Sequence, residues 1–237
     1  MSGNAKAYIS LVSAAGLAAI AYAFVGPQWP QDLFRFCAYL LLSLLAATLK
    51  LRLPGLAGTM SIGFVLVLLS ISELTLAETM LIACAGVVVQ CLWRAKPLPT
   101  SVQVLFSAST VAISVLLAYE CSRLVRTQLH AESVPIVLAA TTCLYFIANS
   151  LLVSGVLAMV KCQPLPAMWR QCYLFAFPYY LLGGAVAGLI TAAGREFGWK
   201  PALLILPVMG LIYLFYRFYF GRIEMLAVPL ERRSGSS

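Results

Sequence analysis

The chain has 237 residues, 62% of them hydrophobic and only 10% charged, with a mean hydropathy of +0.94. That composition lies far outside the soluble range and leaves room for one compact membrane bundle and no sizeable soluble domain. A net charge of +8 would suggest nucleic acid in a soluble protein. Here the cations sit at the ends of apolar runs, where positive-inside bias and anionic headgroups account for them, so no nucleic-acid partner is expected.

Apolar runs lie near residues 8–26, 33–49, 60–72, 76–93, 102–121, 134–160, 171–193 and 201–220. The first follows MSGNAKA. Its Ala21-Tyr22-Ala23 has the look of a signal-peptidase site, but a long run with many spans behind it favours a retained helix. The connections are short and often closed by Pro or Gly, as in Gly26-Pro27-Gln28-Trp29-Pro30, Pro97-Leu98-Pro99, Pro164-Leu165-Pro166 and Gly198-Trp199-Lys200-Pro201.

The third run is the most informative. Leu53 to Ser72 carries no charge for twenty residues, enough for a span. Its first part, Pro54-Gly55-Leu56-Ala57-Gly58-Thr59-Met60-Ser61, is a poor helix, because Pro54 removes a backbone donor and Gly55 and Gly58 loosen the chain. Met60 to Ser72 reads as an apolar helix of roughly 20 Å, against a hydrocarbon core of roughly 30 Å. Irregular backbone at membrane depth persists only when buried in protein or facing a watery cavity. The segment is therefore expected to help wall a pocket.

Charge decides whether this short run crosses. With eight crossings, one side holds eleven cations (Lys6, Lys50, Arg52, Arg94, Lys96, Lys161, Arg170, Arg217, Arg222, Arg232, Arg233) and the other five (Arg35, Arg123, Arg126, Arg195, Lys200). Without the third crossing the split becomes seven against nine. Only the eight-span arrangement obeys the positive-inside rule, and it places both termini in the cytoplasm. The expected fold is an all-α, polytopic membrane bundle of about eight transmembrane helices, the third short and broken. Residues 1–224 form its single transmembrane domain and 225–237 a short cytoplasmic tail. A cation before Pro-Leu-Pro recurs at Arg94–Pro99 and Lys161–Pro166, with Phe106 and Phe175 following. A parallel duplication of a helix pair and a shared loop chemistry both fit it.

Candidate chemistry is sparse. The seven cysteines form no CxxC pair and are expected as small buried hydrophobes. The lone histidine, His130, lies in a polar loop and cannot complete a two-histidine metal motif, and no Gly-rich phosphate loop occurs. Ser154-Gly155 resembles the serine of membrane proteases, but no span carries a histidine to activate it. Ser154, Gly155, Gly183, Gly184 and Gly188 read instead as close-packing residues. No catalytic residue, metal site or cofactor is expected.

Polar residues inside spans carry more weight. Glu78 follows Glu73 by five residues. It is either part of an exposed turn, well placed at a helix N-terminus, or an acceptor at the mouth of a pocket. Gln90 and Gln103 face the cytoplasmic end, where interfacial solvation suffices. Asn149, mid-span, needs an amide partner across helices or in a ligand. Tyr179 and Tyr180 belong to the aromatic segment Tyr173–Tyr180, interrupted by Pro178, which suits either a pocket wall or ordinary packing. With Thr59 and Ser61 of the broken run, Glu78, Asn149, Tyr179 and Tyr180 are the candidate ligand-binding residues. Tyr213–Arg222 reads as an interfacial aromatic belt with snorkelling arginines.

Leu51–Ser61 (L-x-L-P-G-x-x-G-T-M-S), Trp93–Lys96, Val104-Leu105-Phe106, Phe146–Leu151, Trp169–Tyr173 and the Tyr216–Glu224 exit belong together. In that combination the chain resembles the multi-spanning membrane module that precedes GGDEF or HD-GYP domains in bacterial cyclic-di-GMP signalling proteins. The resemblance covers about Leu33 to Glu224 and implies a sensory input role in a bacterial inner membrane. No output domain follows Glu224 here, so an excised piece or a standalone relative acting through a partner is expected. The compact size and broken span also resemble the small substrate-binding subunits of vitamin transporters. The expectation is thus a non-enzymatic membrane protein that binds a small amphipathic ligand and signals to a cytoplasmic partner or within a homo-oligomer. A small-molecule permease or transporter subunit is the alternative.

Reporter fusions after Lys6 and after Arg233 are expected both to report cytoplasm; an external C-terminus would remove the eight-span arrangement.

Overall fold

The computed structural model describes residues 3–25, 32–52, 59–61, 63–95, 97–128, 134–173 and 177–197, together with Pro207, Gly210, Leu211 and Leu214. In chain order these form α1 (Gly3–Ala23), α2 (Leu33–Thr48), β1 (Lys50–Arg52), β2 (Thr59–Ser61), α3 (Phe64–Glu73), α4 (Leu76–Leu92), α5 (Ser101–Gln128), α6 (Val134–Lys161), α7 (Leu165–Tyr173) and α8 (Phe177–Phe197). Four of them, α1, α5, α6 and α8, are long and apolar enough to cross a membrane, and α2, α3 and α4 are shorter apolar helices. The chain is a membrane-embedded helical bundle. The expected run at 201–220 lies outside the described residues apart from four helical positions.

Side-chain contacts fix the helix directions. Arg35 in the first turn of α2 pairs with Glu73 at the end of α3, so these two helices are antiparallel. Thr75 caps α4 at that same end, and a Cβ on Gly86 of α4 would meet Ser43 Oγ of α2 at 2.9 Å, so α4 runs parallel to α2. Arg126 near the end of α5 reaches the Ser72 carbonyl at the end of α3. Tyr8 of α1 donates to the Leu152 carbonyl late in α6 (3.0 Å), and its ring lies 6.4 Å from Phe106 early in α5. Ser72 meets Thr191 late in α8 (3.2 Å). Thus α1, α3, α5 and α8 run one way and α2, α4 and α6 the other.

This alternation segregates charge. Among the described side chains, the carboxylates Asp32, Glu73, Glu78 and Glu120 lie toward the end where α1 finishes, together with Arg35, Arg123 and Arg126. Lys6, Arg94, Lys161 and Arg170 lie toward the other end, where no described side chain is acidic. We refer to these as the acidic and basic ends.

The third run divides differently from expectation. The helix starts at Phe64, and Thr59–Ser61 is a strand paired antiparallel with Lys50–Arg52 in the register Lys50↔Ser61, Leu51↔Met60 and Arg52↔Thr59. Strand pairing satisfies backbone groups that a helix through Thr59 and Ser61 would otherwise have to satisfy. In the seventh run α7 ends at Tyr173 and α8 opens at Phe177; Pro178, expected to interrupt a helix, sits in the first turn of α8, where a missing N–H costs no ladder bond. The repeated Pro-Leu-Pro connections therefore lead to unlike elements. The first precedes a capping pair, Thr100 with Gln103, that opens the 28-residue α5, whereas the second opens the nine-residue α7. Gln103 is a helix cap, not merely a solvated interfacial group. Arg94 and Cys162, at the two helix exits, both have positive φ, 47° and 52°.

Small residues bring helices close together. A Cβ added at Gly16 of α1 would overlap the Ser109 side chain and backbone of α5. Several buried hydroxyls return to their own helix, as Ser70 to Leu66 (2.7 Å), Thr110 to Phe106 (2.8 Å) and Thr141 to Val137 (2.7 Å). Large apolar side chains such as Leu11, Leu17, Leu41 and Leu45 are more than half exposed on α1 and α2, as lipid-facing positions are. The six cysteines whose side chains are described are free and none is fully buried, which corrects the expectation of buried ones.

Gly16→Val is expected to lower thermal stability in detergent by about 1–3 kcal/mol through overpacking. Gly3→Ala, which would meet nothing within 4 Å, is expected to be neutral.

Candidate functional site

From Phe64 to Leu69 α3 is apolar around its whole circumference, and every residue from Phe64 to Ile71 is buried. A helix hydrophobic on all sides belongs in a core, and α3 touches α2, α4, α5, α6 and α8. Its ten residues span only about 15 Å. Its last residue is at the acidic end, so its first, Phe64, falls near mid-depth.

A second helix also begins there. Phe177, Tyr179 and Tyr180 form the first turn of α8, and the Phe64 ring lies 5.2 Å from that of Tyr179 and 4.5 Å from that of Tyr180. From α6, Phe146 stacks on Tyr180 at 4.9 Å and on Phe177 at 5.1 Å, and Tyr145 lies 6.3 Å from Tyr180. Tilted ring pairs at such spacings each add about 0.5–1.5 kcal/mol beyond area burial. α7 folds back along α6: Trp169 Nε1 donates to Ser150 Oγ (2.9 Å) and its ring lies 6.3 Å from Phe146. The backbone of α8 closes tightly over Phe64, since a Cβ on Gly183 would overlap the ring.

One polar contact sits inside this junction. Asn149, about midway along the 28-residue α6, donates Nδ2 to the Tyr180 hydroxyl at 3.4 Å. Two turns toward the acidic end, Thr142 Oγ1 is buried beside Gly184 with no hydrogen-bond partner. An orphaned hydroxyl at such a site is a ready donor or acceptor for a guest molecule or water. Apolar rings around one amide and two or three hydroxyls can hold an amphipathic molecule.

Three of the six candidate residues, Asn149, Tyr179 and Tyr180, are brought together here. Thr59 and Ser61 lie on β2, whose last residue comes three positions before Phe64, so the strand feeds α3 into the junction. Glu78 is elsewhere, beyond the far end of α3. Its Oε2 accepts from Thr75 N (2.9 Å) and Thr75 Oγ1 (2.7 Å), and Thr75 Oγ1 accepts from Glu78 N (3.3 Å), a reciprocal cap of α4. Glu78 is 4% exposed, so it is a helix cap but not part of an exposed turn. Among the described residues, no three His, Cys, Asp or Glu side chains gather as a metal site would require.

Phe64, Tyr145, Phe146 and Trp169 join the site without being candidate residues on sequence grounds. Phe64 follows Gly63, and a bulky ring directly after the glycine-rich run was the available signal. Also unexpected is the cluster at the acidic end of α3. Glu73 Oε2 accepts from Arg35 Nη2 and from the Tyr39 hydroxyl (2.6 Å), with the Glu73 side chain 9% and the Arg35 side chain 28% exposed.

Phe64→Ala is expected to cost about 3–5 kcal/mol, as for other fully packed core aromatics. Tyr180→Phe, which removes only a long interhelical hydrogen bond, is expected to cost under about 1 kcal/mol. Thermal unfolding of both variants in one detergent measures the difference.

No protein-family model, curated protein or solved structure matches the chain, so the chemistry of this junction is read from its own residues.

Proposed function

We propose that the chain is a non-enzymatic bacterial inner-membrane protein with eight crossings and both termini cytoplasmic. It binds a small amphipathic ligand at the aromatic junction and passes the resulting change to a cytoplasmic partner. The observation that carries this reading is the meeting of two helix starts, α3 and α8, at mid-depth around the Asn149–Tyr180 contact. Helix starts gather backbone N–H donors, and with the Asn149 amide they offer a polar end for a ligand whose body stacks on the rings. The basic end, with Lys6, Arg94, Lys161 and Arg170, is the cytoplasmic one under the positive-inside rule. The resemblance to signalling input modules adds the sensory role, with output through the Tyr216–Arg222 exit.

The same geometry supports a second reading. Interrupted spans whose helix starts meet near the midplane are the usual substrate site of secondary transporters. A transporter must open that site alternately to both faces, whereas a sensor needs only two conformations of different ligand affinity.

A diazirine-bearing dodecyl amphiphile, photoactivated on the reconstituted protein, is expected to label the α6–α8 junction. Thr59→Val and Asn149→Leu are expected to cut that labelling about fivefold, the effect of one hydrogen bond of about 1 kcal/mol, while shifting the thermal midpoint little. Binding is also expected to change the reactivity of a cysteine placed at Ile223. Labelling spread over the lipid-facing surfaces of α1 and α2 would overturn the site. Accumulation of the amphiphile inside sealed vesicles would overturn sensing in favour of transport.

A further inference from the structure

The two ends of α3 are held by different physics. From Phe64 to Leu69 its side chains are apolar and buried, so packing there is non-directional. Among the described residues, the hydrogen bonds that tie α3 to other helices crowd into its last turn. Glu73 takes Arg35 and Tyr39 of α2 on one carboxylate oxygen. Ser72 meets Thr191 of α8 at 3.2 Å through its hydroxyl, and its carbonyl accepts from Arg126 of α5 at 3.4 Å.

The central pair is incompletely satisfied. Arg35 Nε is buried with no hydrogen-bond partner, although other parts of the guanidinium engage Glu73 and lie 5.9 Å from the centre of the Tyr39 ring. A buried donor without a partner raises the energy of the closed arrangement. The Arg35 side chain is also 28% exposed, so the guanidinium can turn toward water and gain solvation. Glu73, at 9%, cannot follow it without α3 moving. One member of the pair can leave and the other cannot, which is the physical basis of a two-state contact.

We infer that Arg35, Tyr39 and Glu73 form a latch, and that its release frees the acidic end of α3 from α2 and opens a path along α3 toward the aromatic junction. α3 is short and uninterrupted, so displacement at Glu73 reaches Phe64 nine residues away as a rigid motion. The regulatory meaning of the latch rests on the junction being the ligand site; the opening of α3 does not.

The test is the accessibility of a cysteine at Leu68, a fully buried position of α3. It is introduced into a chain whose seven cysteines are alanine, reconstituted in sealed vesicles and probed from the acidic side with a membrane-impermeant maleimide. Glu73→Gln is expected to raise the labelling rate at least about tenfold, which corresponds to about 1.4 kcal/mol of shifted opening equilibrium. The charge swap Arg35→Glu with Glu73→Arg is expected to return the rate to near the parent value. Tyr39→Phe, which removes one hydrogen bond and no packing volume, is expected to give a smaller rise and serves if Glu73→Gln does not fold. Unchanged labelling in a folded variant with lowered thermal stability would overturn the latch and leave a static ion pair. The photolabelling of the junction is read separately. A labelled junction with unresponsive Leu68→Cys removes only the latch, and a responsive latch with an unlabelled junction removes only the ligand reading.

Discussion

Everything in this bundle follows from one constraint: a backbone polar group at membrane depth must find its partner within the protein. α3 supplies internal partners over only about half a membrane thickness. The β1–β2 pairing supplies others on the basic side of Phe64, residue against residue, for Lys50–Arg52 and Thr59–Ser61. Neither a half-length helix nor a three-residue strand can face lipid along its unsatisfied ends. Five helices therefore surround α3, and the lipid-facing leucines fall on outer helices such as α1 and α2.

Enclosing α3 dictates the surrounding chemistry. Neighbours approach closely where their residues are small, as at Gly183 against Phe64 and Gly184 against Thr142. Ser70, Thr110, Ser114 and Thr141 each bond a carbonyl one turn back on their own helix, which satisfies the hydroxyl without a second helix. Thr142, Thr79 and Ser154 keep buried hydroxyl oxygens without such partners. Of these, Thr142 sits closest in sequence to the aromatic residues of α6, one turn before Tyr145 and Phe146. Thr142 and the Asn149–Tyr180 contact thus give the α6–α8 contact its polar groups.

What was legible in the sequence was whatever one segment decides alone. Hydropathy placed α1, α2 and α4 to α6 within a few residues, except that α5 runs on to Gln128, because transfer of a side chain from water is a property of that side chain. Pro54, Gly55 and Gly58 marked the third run as a poor helix, and the helix indeed begins only at Phe64. What stayed hidden needs two distant segments at once. Arg35 and Glu73 are 38 residues apart, and nothing in either neighbourhood announces the other. Asn149 demanded a partner, but the sequence left open whether Tyr180 or a ligand would provide it. The sequence places Glu78 at a helix N-terminus, as found, but does not show that its carboxylate turns back on Thr75 and is buried. The strand pairing was hidden for the same reason, since Lys50–Arg52 carries no hairpin signature of its own.

The contrast between the two ends of α3 bears on how a bound molecule could be sensed. Gly183 leaves no lateral room beside Phe64, so a guest that stacks on Tyr179 or Tyr180 must displace that ring. Phe64 belongs to a helix with no internal glycine or proline to absorb the shift, so α3 must move as a body. The non-directional apolar contacts of Val65 to Leu69 tolerate a slide or tilt of about an ångström far better than Glu73 does, because a hydrogen bond weakens steeply once its geometry is lost. On the proposed reading, occupancy at the aromatic end would be converted into loss of an ion pair at the polar end. The size of that response is bounded by the guest's preference for the displaced over the resting position, and by nothing else in the bundle.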